Sequence, residues 1–355
     1  MFSKELRIGH FTVNEASPIF LIAEAGVNHN GDLDMAFKLV DAACEAGASA
    51  VKFQSFITEN IITPYANKAN YHIQTTGSDE DQSWMELLKS QELTFEEQAK
   101  LKAYCDKKNI LFLSTPYDTE SLEFLMSIDV PAIKVASCDM NNFELINAIC
   151  GHEKPVILST GMSDISEVKR TLDFFESKKF SDVAILACTG DYPARSDELN
   201  LSSITQYHNE FGTIVGFSDH CVNTSPAYAS VGLGSKIYER HFTLDRKLPG
   251  PDHRASSEPL ELKEHFLCIK NLEKSLGDGR KKIEKSEENN RRLLRRYIVA
   301  TQDMVVGTKI ERHHIMCKRT GGRGISASEY FSLLGKTLKT EKKRDDFFKS
   351  DDLMN

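Results

Sequence analysis

Ile214-Val-Gly-Phe-Ser-Asp-His220 is an apolar run that turns polar at its C-terminal end. After a stretch with helical spacing comes Ser235-Lys-Ile-Tyr-Glu-Arg-His-Phe242, which turns polar in the same place. Working outward, six more short β-branched or apolar runs precede this pair, at 19–25, 48–54, 110–115, 132–137, 155–160 and 183–189. Each is followed by a longer segment of helical periodicity. Run starts recur every 21 to 31 residues, apart from one interval of 62, about the length one strand, two short loops and one helix require. Repeated βα units imply a parallel sheet.

Eight units suggest a closed (β/α)8 TIM barrel, with a doubly wound open sheet as the alternative, because periodicity does not report closure. The polar residues favour the barrel. They fall at the ends of all eight runs: Glu24; Lys52 and Gln54; Ser114 and Thr115; Lys134 and Ser137; Ser159 and Thr160; Cys188 and Thr189; Ser218, Asp219 and His220; Glu239 and His241. Helix caps would explain one or two such ends. All eight together line a mouth of the kind where barrel enzymes keep their sites.

The rest of the chain fits a soluble enzyme of α/β class. Its 355 residues are 40% apolar and 27% charged, which argues against disorder and against a disulfide scaffold. No run approaches the ~20 apolar residues of a membrane helix. A net charge of −8 opposes nonspecific nucleic-acid binding. The eight cysteines show no CxxC or finger-like spacing, so they read as reduced thiols of a cytoplasmic protein. The oversized interval, 57–93, carries Tyr65, Tyr71, His72 and Trp84 and reads as a lid over the mouth, with a disordered insertion as the alternative. The expected organisation is a barrel over 1–277, a charged linker at 278–296, where 12 of 19 residues are charged, and a small strand-rich module over 297–355.

Two histidines, His220 and His241, end adjacent strands, so their imidazoles can meet at one point, beside Asp219 and Glu239. That arrangement suits a divalent ion such as Mn²⁺ or Mg²⁺, while Cys221 keeps zinc open. Lys52 and Lys134 end strands that are otherwise apolar. Either both neutralise a phosphate or carboxylate with help from nearby hydroxyls, or Lys134 forms a Schiff base. The abundance of hydroxyls favours the anion cradle.

These segments resemble the sialic acid synthase (N-acylneuraminate synthase) family, which includes N-acetylneuraminate and legionaminic acid synthases. The resemblance is carried by Ile22-Ala-Glu-Ala-Gly-Val-Asn-His-Asn-Gly31, Lys52-Phe-Gln54, Leu113-Ser-Thr-Pro116, Ile133-Lys-Val-Ala-Ser137 and Leu158-Ser-Thr-Gly-Met162. It continues through Gly216-Phe-Ser-Asp-His220, Glu239-Arg-His-Phe-Thr243 and Gly250-Pro-Asp-His-Arg-Ala-Ser256. The tail from Lys318 to Lys336 resembles the antifreeze-like (β-clip, SAF) domain of these enzymes. The resemblance implies that Lys52, Thr115, Lys134, Ser137, Ser159 and Ser218 hold phosphoenolpyruvate, and that His220 and His241 bind the metal, Mn²⁺ foremost, with Mg²⁺ or Co²⁺ as alternatives. It implies that Glu24, Asp139 and Asp252 surround the reacting carbons, that Gln54, Tyr192 and Arg319 contact the sugar, and that the protein is a homodimer of domain-swapped type, each tail capping the partner's barrel. Three positions depart from the family pattern: Cys138-Asp139 stands for Gly-Glu, Gly190 for a hydrogen-bonding side chain, and Thr320 for a proline.

The implied reaction is attack by C3 of phosphoenolpyruvate on the aldehyde of an open-chain N-acylated aminosugar such as N-acetylmannosamine, with water addition at C2 and loss of phosphate. Rival readings are a legionaminic acid synthase acting on a diacetamido-trideoxyhexose, an enzyme condensing phosphoenolpyruvate with another aldose, and an inactive sugar-binding protein.

Overall fold

The computed structural model of the chain describes residues 1–354. A short antiparallel hairpin, β1 (Glu5–Ile8) and β2 (Phe11–Asn14), precedes eight parallel strands: β3 (Phe20–Gly26), β4 (Ala50–Ser55), β5 (Leu111–Pro116), β6 (Ile133–Val135), β7 (Val156–Ser159), β8 (Val183–Cys188), β9 (Ile214–Asp219) and β10 (Ile237–His241). These eight close on themselves, β10 pairing with both β9 and β3. The fold is the (β/α)8 barrel, and the open-sheet alternative is excluded by that closure. Each strand lies within two residues of its run in the sequence, whereas the hairpin was not foreseen.

The two-residue period of each strand sorts its side chains between two cores. One face of each strand packs against the helices: Leu21, Ala23 and Ala25 of β3, Val51 and Phe53 of β4, and Phe217 and Tyr238 of β9 and β10 join this outer core. The alternate residues fill the barrel itself. Phe20, Ile22, Ala50, Leu113, Ile157, Leu186 and Ile237 form its interior, where Leu6, Ile8 and Val13 of the hairpin join them and close the bottom. Gly216 belongs to this interior because a Cβ there would lie 2.4 Å from the Ile237 carbonyl oxygen. Going up each strand, the inward positions pass from apolar to polar, which is why the chemistry collects at one end.

The helices follow from capping as much as from periodicity. In Leu33–Ala46, Asp32 accepts from the amides of Asp34 and Met35, Gly47 ends the helix at φ 75°, and Ala36, Leu39, Val40 and Ala43 face the core. Losing such an N-cap costs about 1 kcal/mol. The 57–93 interval is ordered, with helices Thr58–Ile61, Asn70–Thr76 and Trp84–Gln91, and its Lys68 ammonium donates to the carbonyls of Gly77 and Ser78.

The chain divides into two compact units, Met1–Gly277 and Asp278–Asn355. In the second, β11 (Tyr297–Ala300) pairs with β12 (Ile315–Lys318), and β13 (Thr337–Leu338) pairs with β14 (Leu353–Met354). Ile298, Ile310, Leu333, Leu338 and Phe348 build its own small core. The charged stretch 278–296 is not uniformly extended: it contains the helix Glu288–Leu294. Among the described residues, no helix is long and apolar enough to cross a membrane, and all eight cysteines are free.

Candidate active site at the barrel mouth

The inward polar residues meet as two neighbouring groups. In the first, Lys52 Nζ lies 2.8 Å from Glu24 Oε2 and 3.7 Å from Glu239 Oε2, and donates to Thr115 Oγ1 at 3.2 Å. Lys134 Nζ donates to Ser159 Oγ at 2.6 Å and to the Val135 carbonyl at 3.1 Å, with Glu239 Oε1 3.8 Å away. Ser218 Oγ donates to Glu239 Oε1 at 2.9 Å. Six of the expected residues, Glu24, Lys52, Thr115, Lys134, Ser159 and Ser218, therefore gather about Glu239, a carboxylate that the sequence placed with the metal instead.

Burial governs the charges here. It pushes Glu24 up to about 7 against the pull of Lys52. It also pushes Lys134 below its usual range, although Glu239 opposes the shift. Lys52, flanked by Glu239 and Glu24, is raised in spite of burial. Glu239, facing both lysines, is held below the usual carboxylate range despite its own burial. Two cations and two acids in a water-poor pocket leave it near neutral, and an incoming anion must take lysine contacts from Glu24 and Glu239.

The second group is aromatic. The rings of His220 and His241 lie 5.4 Å apart. Tyr192 stacks on His220 at 4.0 Å and meets His241 edge-on at 5.4 Å. Tyr71, from the 57–93 interval, lies 5.0 Å from Tyr192. His220 Nδ1 donates to the Thr189 carbonyl at 2.7 Å, and although burial opposes it, Cys188, whose Sγ lies 4.0 Å from Nε2, together with that carbonyl pushes His220 up to about 9. His241 Nδ1 is buried without a hydrogen-bond partner, and Asp252 Oδ2 lies 3.9 Å from it. Burial, reinforced by His220 and Lys52, keeps His241 neutral, and burial raises Asp252 to about 6.

A buried imidazole nitrogen without a partner, next to a second imidazole that would give up its Nε2 proton on ligation, fits a divalent ion completed by solvent or substrate. The carboxylates expected to assist do not: Asp219 points out of the barrel to Arg240 at 2.8 Å, and Glu239 serves the lysines. Among the described residues, no three His, Cys, Asp or Glu side chains are grouped to hold a metal. Cys221, the residue that kept zinc open, has its buried thiol turned to the Ala194 carbonyl, to which it donates.

The remaining expected residues of the first unit are spread around the mouth. Gln54 Nε2, Glu24 Oε1 and His241 Cε1 all lie within 3.5 Å of where a Cβ on Gly26 would be, so the glycine (φ 53°) leaves room for three side chains to converge. Ser137 Oγ accepts from the Gly161 amide at 2.9 Å. Asp139, raised by burial, accepts from Asn142 at 3.0 Å. A cleft of about 270 Å³ opens beside Ser137, lined by Cys138, Phe143, Met162 and Arg170. Gly190 touches that rim, where a Cβ would meet Met162 Cγ at 2.8 Å. Arg319 belongs to the second unit, where its Nε donates to the Leu294 carbonyl at 3.2 Å, and Thr320 donates to the Arg323 carbonyl. Sequence reasoning overlooked Glu239 as a partner of the lysines, which the two-residue period could have found, since Glu239 shares the inward face with His241. Tyr71, which it assigned to an interval over the mouth, lies beside Tyr192.

The NeuB family model matches residues 39–281. The chain is 39% identical to the N,N'-diacetyllegionaminic acid synthase of Campylobacter jejuni, covering 93% of this chain and 98% of that protein. It is 38% identical to the protein of the same name from Legionella pneumophila, covering 90% of each. Among solved structures, the N-acetylneuraminic acid synthetase of Leptospira borgpetersenii superposes with a TM-score of 0.72 at 34% identity, covering 81% of this chain and 95% of that one.

Proposed function

The chain belongs to the NeuB family, and on that premise we propose that it joins phosphoenolpyruvate to the aldehyde carbon of an open-chain N-acylated aminosugar. The observation that carries this reading is the pairing, in one mouth, of a two-lysine anion cradle with two converging imidazoles. Lys52 and Lys134, with Thr115, Ser137, Ser159 and Ser218, hold the phosphate and carboxylate of phosphoenolpyruvate as charge-assisted hydrogen-bond donors. The sugar lies towards Tyr192, Gln54 and the histidines. A divalent ion, Mn²⁺ in this reading, would be held by His220 and His241 and would supply Lewis-acid polarisation of the sugar carbonyl.

Stacking the two substrates in register provides much of the rate, because it makes C–C bond formation effectively unimolecular. As C3 of phosphoenolpyruvate bonds to the aldehyde carbon, the aldehyde oxygen takes a proton and C2 becomes electron-poor. Glu24, Asp139 and Asp252 stand around these carbons. Glu24 and Asp252, raised to about 7 and about 6 by burial, exchange protons near neutrality, as acid–base groups must. One carboxylate takes the proton of the water that adds at C2, and the C2–O bond to phosphate then breaks.

Two relatives at 38–39% identity carry the legionaminic name, which favours a diacetamido-trideoxyhexose over N-acetylmannosamine as the sugar. The test is phosphate release from phosphoenolpyruvate against a panel of aldoses, with mass spectrometry of the product. Release that depends on an N-acylated aminosugar and yields the summed acid supports the proposal. Release only with a phosphorylated tetrose or pentose overturns it. Chelation should abolish turnover and Mn²⁺ should restore it.

The proposal places the enzyme in the cytoplasm, consistent with eight free thiols, and treats the second unit as an antifreeze-like cap in a homodimer, with Arg319 of each chain serving the partner's mouth. Mixing inactive Glu24→Gln and Arg319→Ala proteins under subunit exchange would then restore about a quarter of the sites. No recovery of activity would rule out capping in trans.

A further inference from the structure

Behind the two histidines, on the outer face of the barrel wall, lies a charged network to which none of the roles above gives a part. Asp219 and Arg240 are directly paired across β9 and β10. Arg240 Nη1 donates to Asp219 Oδ2 at 2.8 Å, and the two side chains are 2% and 0% exposed. Tyr238 donates to the same carboxylate oxygen at 2.7 Å and meets His265 Nε2 at 3.0 Å.

The other ends of this ion pair reach the backbone around each histidine. Asp219 Oδ1 accepts from the Cys221 amide at 2.9 Å, spanning the intervening His220. Arg240 Nε donates to Ser257 Oγ at 2.7 Å, and the Ser257 amide donates to the His241 carbonyl at 2.9 Å. One rigid connection thus runs from the chain beyond His220, through the ion pair, to the carbonyl of His241. A buried ion pair is a poor way to gain stability, because an apolar pair of similar volume often holds a wall as well. What an apolar pair lacks is directed bonds to the backbone at both histidines.

We propose that Asp219 and Arg240 are positioning residues: their ion pair, extended by Ser257, acts as a crossbar that fixes the separation of the His220 and His241 imidazoles and so the affinity for a divalent ion. This rests on the reading of those histidines as the metal-holding pair. The guanidinium is essential to the device, since its flat fork bonds Asp219 and Ser257 at once, whereas a lysine ammonium keeps the charge without that geometry.

The test is a titration of metal-free, full-length protein with Mn²⁺, following free Mn²⁺ by electron paramagnetic resonance, for wild type, His220→Ala, Arg240→Lys and Ser257→Ala. Melting temperature and phosphoenolpyruvate binding to the metal-free proteins are measured alongside. Arg240→Lys and Ser257→Ala should weaken Mn²⁺ binding about tenfold or more, as outer partners of metal ligands do, while phosphoenolpyruvate binding stays within about twofold. A merely structural pair predicts the reverse: a lower melting temperature with Mn²⁺ affinity unchanged. Unchanged affinity in folded Arg240→Lys overturns the crossbar. If that variant does not fold, unchanged affinity in Ser257→Ala does so instead. A wild type that binds Mn²⁺ no better than His220→Ala overturns the metal reading, and the crossbar with it.

Discussion

Glu239 stands 3.7 Å from the Lys52 ammonium, and the same carboxylate also faces Lys134, so one buried acid is counter-ion to both cations before any substrate arrives. It holds Lys134 protonated against the burial that pushes that lysine down. Replacing Glu239 by Gln removes this support, so Lys134 should lose its proton at lower pH than in the wild type. The alkaline limb of the kcat/KM profile for phosphoenolpyruvate should therefore move to lower pH, with the acidic limb still governed by the remaining carboxylates. A profile unchanged on its alkaline side would show that Lys134 need not be charged.

The lowered basicity of Lys134 also suits a Schiff base, and chemistry separates the two readings. Lys134 already donates to Ser159 and to the Val135 carbonyl, which aligns an ammonium for anion binding. Lys134→Arg should retain measurable phosphoenolpyruvate binding, because the charge survives, and borohydride should trap nothing on the wild type during turnover. A pyruvyl or sugar adduct on Lys134 in the mass spectrum would replace the noncovalent mechanism.

Stability should fall with acid because of His265, which is 2% exposed and held at about 3 by burial and by Arg240. The unfolded histidine takes up a proton below about 6.5 while the folded one refuses it. Stability present above that pH is therefore lost as pH falls towards 3. Between pH 6.5 and 5 this single group accounts for about 2 kcal/mol. Urea midpoints of wild type and His265→Gln at pH 7 and pH 5 isolate it, because the raised acids Glu24 and Asp252, whose effect has the opposite sign, are common to both. The variant should be less stable at pH 7 but lose less on acidification.

The barrel was legible because its strands carry the signal twice, once in apolar runs and once in polar ends. Lys52, Lys134, His220 and His241 stood out for the same reason. What the runs did not report was the partner of each polar end. Asp219 and Glu239 each neighbour a candidate histidine in sequence, yet alternation sends Asp219 outward to Arg240 and Glu239 inward to the lysines. The hairpin of β1 and β2 escaped because four-residue strands give too short a period to read, although Leu6, Ile8 and Val13 plug the barrel. The 57–93 interval has polar composition and weak periodicity, and its order comes from caps such as Ser83 with Glu86.

That interval yields the last prediction. Tyr71 lies 5.0 Å from Tyr192, which stacks on His220. The helix bearing Tyr71 is tied to the barrel where Arg254 donates to the Gln74 carbonyl at 3.2 Å. Burial and Asp252 raise the Tyr71 phenol, so it stays a neutral donor throughout the working range. A ring in this position excludes water from the histidines, and its hydroxyl can serve a polar group of the sugar, whereas the lysine cradle lies with Glu239. Tyr71→Phe should therefore raise KM for the aldose several-fold with little change in KM for phosphoenolpyruvate. Tyr71→Ala, which also opens the site to water, should lower kcat and increase phosphoenolpyruvate hydrolysis uncoupled from sugar. Equal effects on both substrates, or none, would mean that the interval is only a wall.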